Sequence, residues 1–128
     1  MKTELSLELI DLINKNEWII FSTSDINNCP RSIIVLPSRI EKNRIIISNI
    51  QMKKSIENIK NNNKCFINVY CKDNSDLQIK ISGLAKIYED GELYNEIKEY
   101  EETNNLPDDL KVRSIIVIDF IDIEVTKE

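Results

Sequence analysis

Hydrophobic residues change period several times along this chain, and each change marks an element. Leu5, Leu9, Leu12 and Ile13 recur at the spacing of one helix face. Thr3 stands where a capping hydroxyl is wanted and Asn14 to Asn16 where a helix stops, so the pattern predicts an N-terminal helix lying over the core. From Trp18 to Thr23 the side chains turn aromatic and β-branched, which favours a strand, and Asp25-Ile26-Asn27-Asn28 then reads as a turn. Pro30 opens a second strand, in which Arg31, Ile33, Val35 and Pro37 alternate with Ser32, Ile34, Leu36 and Ser38. Pro37 places a bend or a sheet edge there. A tight connection at Glu41-Lys42-Asn43 leads into Arg44, Ile45, Ile46 and Ile47, predicting three consecutive antiparallel strands.

A short amphipathic helix is expected to begin near Met52, with Ile56 and Ile59 on one face and Glu57 and Lys60 pointing away, and to end at Asn61-Asn62-Asn63. Cys65, Ile67, Val69 and Cys71 form one face of a fourth strand, which makes Cys65 and Cys71 core thiols. Asp73 to Asp76 reads as a turn. Beyond it Leu77, Ile79, Ile81, Gly83, Ala85 and Ile87 alternate with Gln78, Lys80, Ser82, Leu84, Lys86 and Tyr88, and Gly83 marks where so long a strand can bend at a barrel corner. Asp90 is placed to cap a helix whose Leu93, Tyr94, Ile97 and Tyr100 share a face, while Glu96, Glu99, Glu101 and Glu102 stay in water. Asn104, Asn105 and Pro107 end it. Val112 to Phe120 restores the β pattern, buried on both faces at Ile115 to Ile118, and Asp122 to Val125 adds a last short strand. About six strands with inserted helices describe a small antiparallel barrel, as one domain over residues 1–128, rather than an alternating βαβ sheet.

Composition narrows the chemistry. A chain of 128 residues supports a modest core, so a subunit interface would add useful apolar burial. The net charge of −5 argues against broad nucleic-acid binding, which needs a concentrated positive surface. No apolar run approaches the roughly 20 residues of a membrane span, and the acids in Met1 to Glu8 interrupt any signal peptide, so a cytoplasmic protein without membrane contact is expected. Cys29, Cys65 and Cys71 form no CxxC pair, which suits a reducing compartment. The absence of histidine excludes a histidine base, a Ser-His-Asp triad and the usual zinc sites. If the chain is an enzyme, its reactive group belongs to a bound cofactor.

One local anomaly suggests which. The amino end of a helix carries partial positive charge and unpaired N–H groups, yet the expected first turn near Met52 holds Lys53 and Lys54 rather than acids. Two ammonium groups, the Ser55 hydroxyl and free N–H groups together suit a phosphate. The competing reading is an exposed pair in a lysine-rich chain, and no glycine-rich loop supports the phosphate.

Taken in order, Pro30-Arg31-Ser32-Ile33-Ile34-Val35, Ile45-Ile46-Ile47-Ser48-Asn49 and Met52-Lys53-Lys54-Ser55-Ile56-Glu57-Asn58-Ile59 resemble the flavin-binding split barrels related to pyridoxamine 5'-phosphate oxidase. Ile81-Ser82-Gly83-Leu84-Ala85 and the acidic helix after it extend the likeness, which is closest to the small homodimeric FMN-binding members. The resemblance implies a mainly β fold, a six- to seven-stranded antiparallel split barrel with short helices. It implies that Lys54 and Ser55, with Lys53 beside them, hold the FMN phosphate. Ser48, Asn49, Gln51 and Met52 match the connection that passes the phosphate and ribityl chain, mainly through main-chain groups. Ile34, Val35 and Leu36 match the strand along which the isoalloxazine ring rests, through backbone groups or apolar packing. Arg31, Arg39 and Arg113 are candidates for the phosphate or the electron-rich ring edge.

The function so implied is an FMN-binding flavoprotein, an oxidoreductase or electron carrier, working as a homodimer with NAD(P)H or a redox protein as electron donor. A non-catalytic flavin sensor or storage protein and a deazaflavin-dependent reductase are the alternatives. Pyridoxamine 5'-phosphate oxidase activity itself is not expected, because the Arg and His pair that holds its substrate needs a histidine, and heme is disfavoured for the same lack. Tyr70 and Tyr88 are expected as core or interface aromatics rather than catalysts.

Overall fold

Alternating apolar residues can be buried only if their strands share one curved face, and the chain does this with one sheet. The structure, a computed structural model, describes residues 1–71 and 77–127; the turn expected at Asp73 to Asp76 lies outside them. The strands are β1 (Ile19–Ser24), β2 (Pro30–Val35), β3 (Arg39–Ile40), β4 (Arg44–Asn49), β5 (Lys64–Cys71), β6 (Leu77–Tyr88) and β7 (Ser114–Lys127), in the antiparallel order β2-β1-β5-β6-β7-β4-β3. The three-strand succession expected from β1 to β4 does not form. β2 pairs with β1 alone, whereas β4 pairs with β7 and with the short β3. Proline at 37 cannot donate to a ladder, and the chain there crosses to the opposite edge of the sheet.

That crossing closes the fold. β2 and β3 are the two edge strands, yet only residues 36–38 separate them. Four Cα steps of about 3.8 Å reach at most about 15 Å, whereas a flat seven-stranded sheet holds its edges about 29 Å apart at about 4.8 Å per strand. The sheet must therefore roll into a barrel with a slit between β2 and β3. Inward residues such as Ile19, Phe21, Ile67, Ile79, Ile81, Ile116 and Ile118 are fully buried in its core.

Helix α1 (Leu7–Asn16) covers this core with Leu9 and Ile13. Its cap is Ser6, whose Oγ accepts from the Leu9 N–H at 3.2 Å, and not the expected Thr3. The helix ends at Asn16, within the stop expected at Asn14 to Asn16. Asn16 stays helical and donates its side-chain amide to the Trp18 carbonyl at 2.9 Å, and Glu17 makes the break at φ 70°. Helix α2 (Lys54–Asn61) starts later than expected, with Lys53 at the cap position. Helix α3 (Glu92–Asn104) lies on the outer face of β4 and β7, where Ile97 joins Ile46, Val112, Ile115 and Val117 in a second cluster. This explains the burial of β7 on both faces. Gly91, at φ 100°, occupies the cap position in place of Asp90, and Tyr100 is half exposed rather than on the buried face.

β7 is a single strand where two were expected. The interruption is a bulge opposite Ser82 and Gly83, where Gly83 pairs with Phe120 and Ser82 with Asp122. Gly83 is required there, since a Cβ would stand 2.5 Å from Ile118 Cγ2 and 3.0 Å from the Asp119 carbonyl oxygen.

Candidate functional site

The end of β4 and the start of α2 are held by one side chain. Asn49 is buried, donates from Nδ2 to Ser114 Oγ at 3.1 Å and accepts at Oδ1 from the Met52 N–H at 2.7 Å. Its carbonyl accepts from the Arg113 N–H at 2.8 Å. The segment 50–53 is thereby pinned to the beginning of β7. The far side of α2 is tied to β1, through Asn58 Nδ2 to Thr23 Oγ1 at 3.0 Å and Asn62 Nδ2 to Ser24 Oγ at 3.1 Å.

The amino end of α2 is thus fixed but uncapped. Among the described residues no side chain caps its first turn, so the leading N–H groups lack partners there. Among the described residues, no carboxylate lies within 4.0 Å of the Lys53 or Lys54 ammonium. Ser55 is buried beside them.

These groups open onto a cleft of about 540 Å³. Segment 50–53 and α2 contribute Ile50, Gln51, Met52, Lys53, Lys54 and Ser55 to it. Arg31, Ile33, Ile34, Val35 and Leu36 of β2 and its extension form the opposite wall. Because β2 pairs only with β1, its second edge has N–H and C=O groups free for a ligand. Ile34 and Leu36 are each 69% exposed, a high value for apolar side chains and one that leaves them available for contact. Ser38 and Ser48 also line the cleft, with their hydroxyls 2.7 Å apart. In such a pair one hydroxyl proton is used internally and the other remains free to donate outward.

Most of the residues singled out from sequence therefore meet in one place: Arg31, Ile34, Val35, Leu36, Ser48, Gln51, Met52, Lys53, Lys54 and Ser55. The structure does not bring Asn49, Arg39 or Arg113 to it. Asn49 lies behind the wall and positions it. Arg39 is engaged by Glu96 at 2.6 Å and Glu41 at 3.7 Å. Arg113 lines a separate cavity with Ile50, Gln51, Asp109, Leu110 and Lys111.

Sequence reasoning missed the third wall, which is Glu101, Asn105 and Leu106 at the carboxyl end of α3. The acidic face expected in water is exposed at Glu96 and Glu99 but partly covered at Glu101 and Glu102. Glu96 pairs with Arg39, Glu101 faces the cleft, and Glu102 accepts from Lys98 and from the Val112 N–H at 2.9 Å. The Lys98 ammonium, then the Val112 N–H, hold the Glu102 carboxyl below the usual carboxylate range.

The cleft combines cations at one end with apolar walls along its length, so it suits an amphipathic ligand with an anionic tail. Its size lies within the range of about 300–1,000 Å³ usual for small-molecule sites. No cluster of three metal-ligating side chains exists among the described residues, and none of their helices is long and apolar enough to cross a membrane.

No family model matches the sequence, and no curated protein matches it either. Solved structures do. HupZ from Group A Streptococcus is 19% identical, covers 97% of this chain and 95% of its own, and superposes with a TM-score of 0.84. An FMN-binding protein from Syntrophomonas wolfei subsp. wolfei is 20% identical, with coverages of 95% and 92% and a TM-score of 0.73. HutZ, the heme storage protein from Vibrio cholerae, is 10% identical, with coverages of 97% and 94% and a TM-score of 0.70. The fold is the split barrel of the pyridoxamine 5'-phosphate oxidase type.

Proposed function

We propose that the cleft binds FMN and that the chain is a flavin-dependent oxidoreductase or electron carrier working as a homodimer. The observation that carries this reading is the union, in one cleft, of two lysines without a carboxylate partner among the described residues, at an uncapped helix start, with an apolar strand whose edge is open. Lys53, Lys54, Ser55 and the first N–H groups of α2 would hold the phosphate by charge-assisted hydrogen bonds. Ile34, Val35 and Leu36 would lie along the ring, exclude water from it and offer main-chain groups to its polar edge. The Ser38–Ser48 pair would give one hydroxyl donor to the ribityl chain or ring.

Bound FMN supplies redox chemistry that the side chains lining this cleft do not. Among the described residues lining the cleft Glu101 is the one carboxylate, and it would accept a hydrogen bond from the ligand there. The likeness in fold to a FMN-binding protein supports the cofactor. Heme, stored by a protein of the same fold, fits these donors poorly: among the described residues the cleft has no His, Cys or Tyr, and Met52 is its one side chain of those axial-ligand types.

Titration by flavin fluorescence quenching tests the reading. Lys54→Glu with Ser55→Ala is expected to weaken FMN binding by a few kcal/mol, each lost charge-assisted bond contributing roughly 1.5–3 kcal/mol. Unchanged affinity would put the phosphate elsewhere. The absorbance spectrum of protein purified from its own host distinguishes FMN from a deazaflavin or heme. Steady-state oxidation of NADH or NADPH by the FMN-loaded protein separates an enzyme from a flavin store, which would show no turnover.

A further inference from the structure

The segment Ile50–Gln51 is a wall with a cavity on each side. One side is the cleft; the other is a space of about 360 Å³ lined by Asp109, Leu110, Lys111 and Arg113, with Ile50 and Gln51 shared between the two. The backbone around this second space is held in place by hydrogen bonds, while the Asp109, Lys111 and Arg113 side chains on it are exposed. Arg113 is fixed through its N–H bond to the Asn49 carbonyl, Leu110 through an N–H bond to the Pro107 carbonyl at 3.0 Å, and the intervening Val112 N–H through Glu102.

Its charges are under-compensated. Among the described residues Arg113 has no carboxylate within 4.0 Å. Among the same residues Lys111 reaches only Glu102, at 4.0 Å, and that carboxylate already takes Lys98 and the Val112 N–H. Around the two cavities stand the cations Arg31, Lys53, Lys54, Lys111 and Arg113 against the carboxylates Glu101 and Asp109, in a chain of net charge −5. Such a local excess draws anions. An arginine fork and an ammonium suit a phosphoryl group, while Asp109, which only accepts hydrogen bonds when ionised, suits a sugar hydroxyl beside it.

We infer that this second cavity binds a phosphorylated ribose, so that the protein handles two phosphoryl centres, one on each side of the Ile50–Gln51 wall. The inference rests on the flavin reading of the cleft and goes beyond it. The phosphorylated ribose has two chemical sources: the adenylate half of a flavin dinucleotide, or a nicotinamide dinucleotide that arrives as reductant.

The test compares FMN, FAD and NADPH on the intact chain and on Lys111→Gln with Arg113→Gln. Both side chains are exposed, and thermal melting followed by circular dichroism confirms that the variant folds. The variant is expected to lose about tenfold or more in affinity for FAD or NADPH beyond any loss for FMN, the effect of one charged contact. A selective loss on FAD identifies the distal half of a flavin dinucleotide, and one on NADPH identifies the reductant. Equal losses on all three ligands, no loss on any, or a parent chain that binds FMN but neither dinucleotide overturns the second site and leaves the flavin reading standing. A parent chain that binds no FMN overturns both.

Discussion

Gly83 sits where β6 presses on β7, and its missing side chain is what the bulge requires. Gly83→Ala drives a methyl into Ile118 and the Asp119 carbonyl, neither of which can swing away, so a loss of roughly 1–3 kcal/mol is expected in urea unfolding. The three thiols divide by burial. Desolvation pushes Cys65 up to about 12 and raises Cys71 as well, while Cys29 is exposed on the turn before β2. A thiol reagent near neutral pH should therefore label one cysteine per folded chain and three after denaturation; rapid labelling of all three in the native state would contradict the packed inner face of β5. Asn49 shows how far a single residue can be read. Its place between strand and helix was plain from sequence, but its bonds to Ser114 and Met52 were not, because Ser114 is 65 positions away.

Among the elements, the strands were the most legible. Alternation over Leu77–Tyr88 marked β6 to the residue, and the run Ile115–Ile118 announced a strand covered on both sides. The helix ends were less so. Ser6 and Gly91 took the cap positions expected of Thr3 and Asp90, since several residues near each end could have bonded and tertiary contacts chose among them. Helix α3 hid its role because an acidic face looks alike whether it meets water or partners. Glu102 ties the end of α3 to the start of β7, and its carboxyl is held below the usual range by Lys98 and the Val112 N–H. A depressed value means that the folded chain binds fewer protons at this site than the unfolded chain. Its contribution is thus fully present above the unfolded value, near about 4.3, and fades as the pH drops through the lower folded one. The protection factor of the Val112 amide in hydrogen exchange should accordingly fall below about pH 4, and Glu102→Gln should remove that pH dependence. A profile that is the same in both proteins would detach Glu102 from the stability of this junction.

On the scale of the molecule, the outer face of the sheet leaves Phe66 and Tyr70 exposed on β5, with Ile34 nearby on β2. Apolar side chains so placed fit the proposed homodimer. Light scattering is expected to give twice the chain mass of 14.9 kDa, and Phe66→Asp with Tyr70→Asp to return it to one. A single-chain mass for the parent protein would remove the dimer from the reading.

The link of residues 36–38 has a further effect. It spans the slit where β2 and β3 fail to pair, and both Leu36 and Ser38 belong to the cleft. The rolled sheet is therefore held shut by a covalent clasp whose length sets the gauge of the opening, as the hinge stop of a calliper sets its jaws. Adding residues there would let the rim spread without touching any contact on the floor, and removing them would narrow it. The thickness of whatever lies between the jaws is written into the count of those few residues.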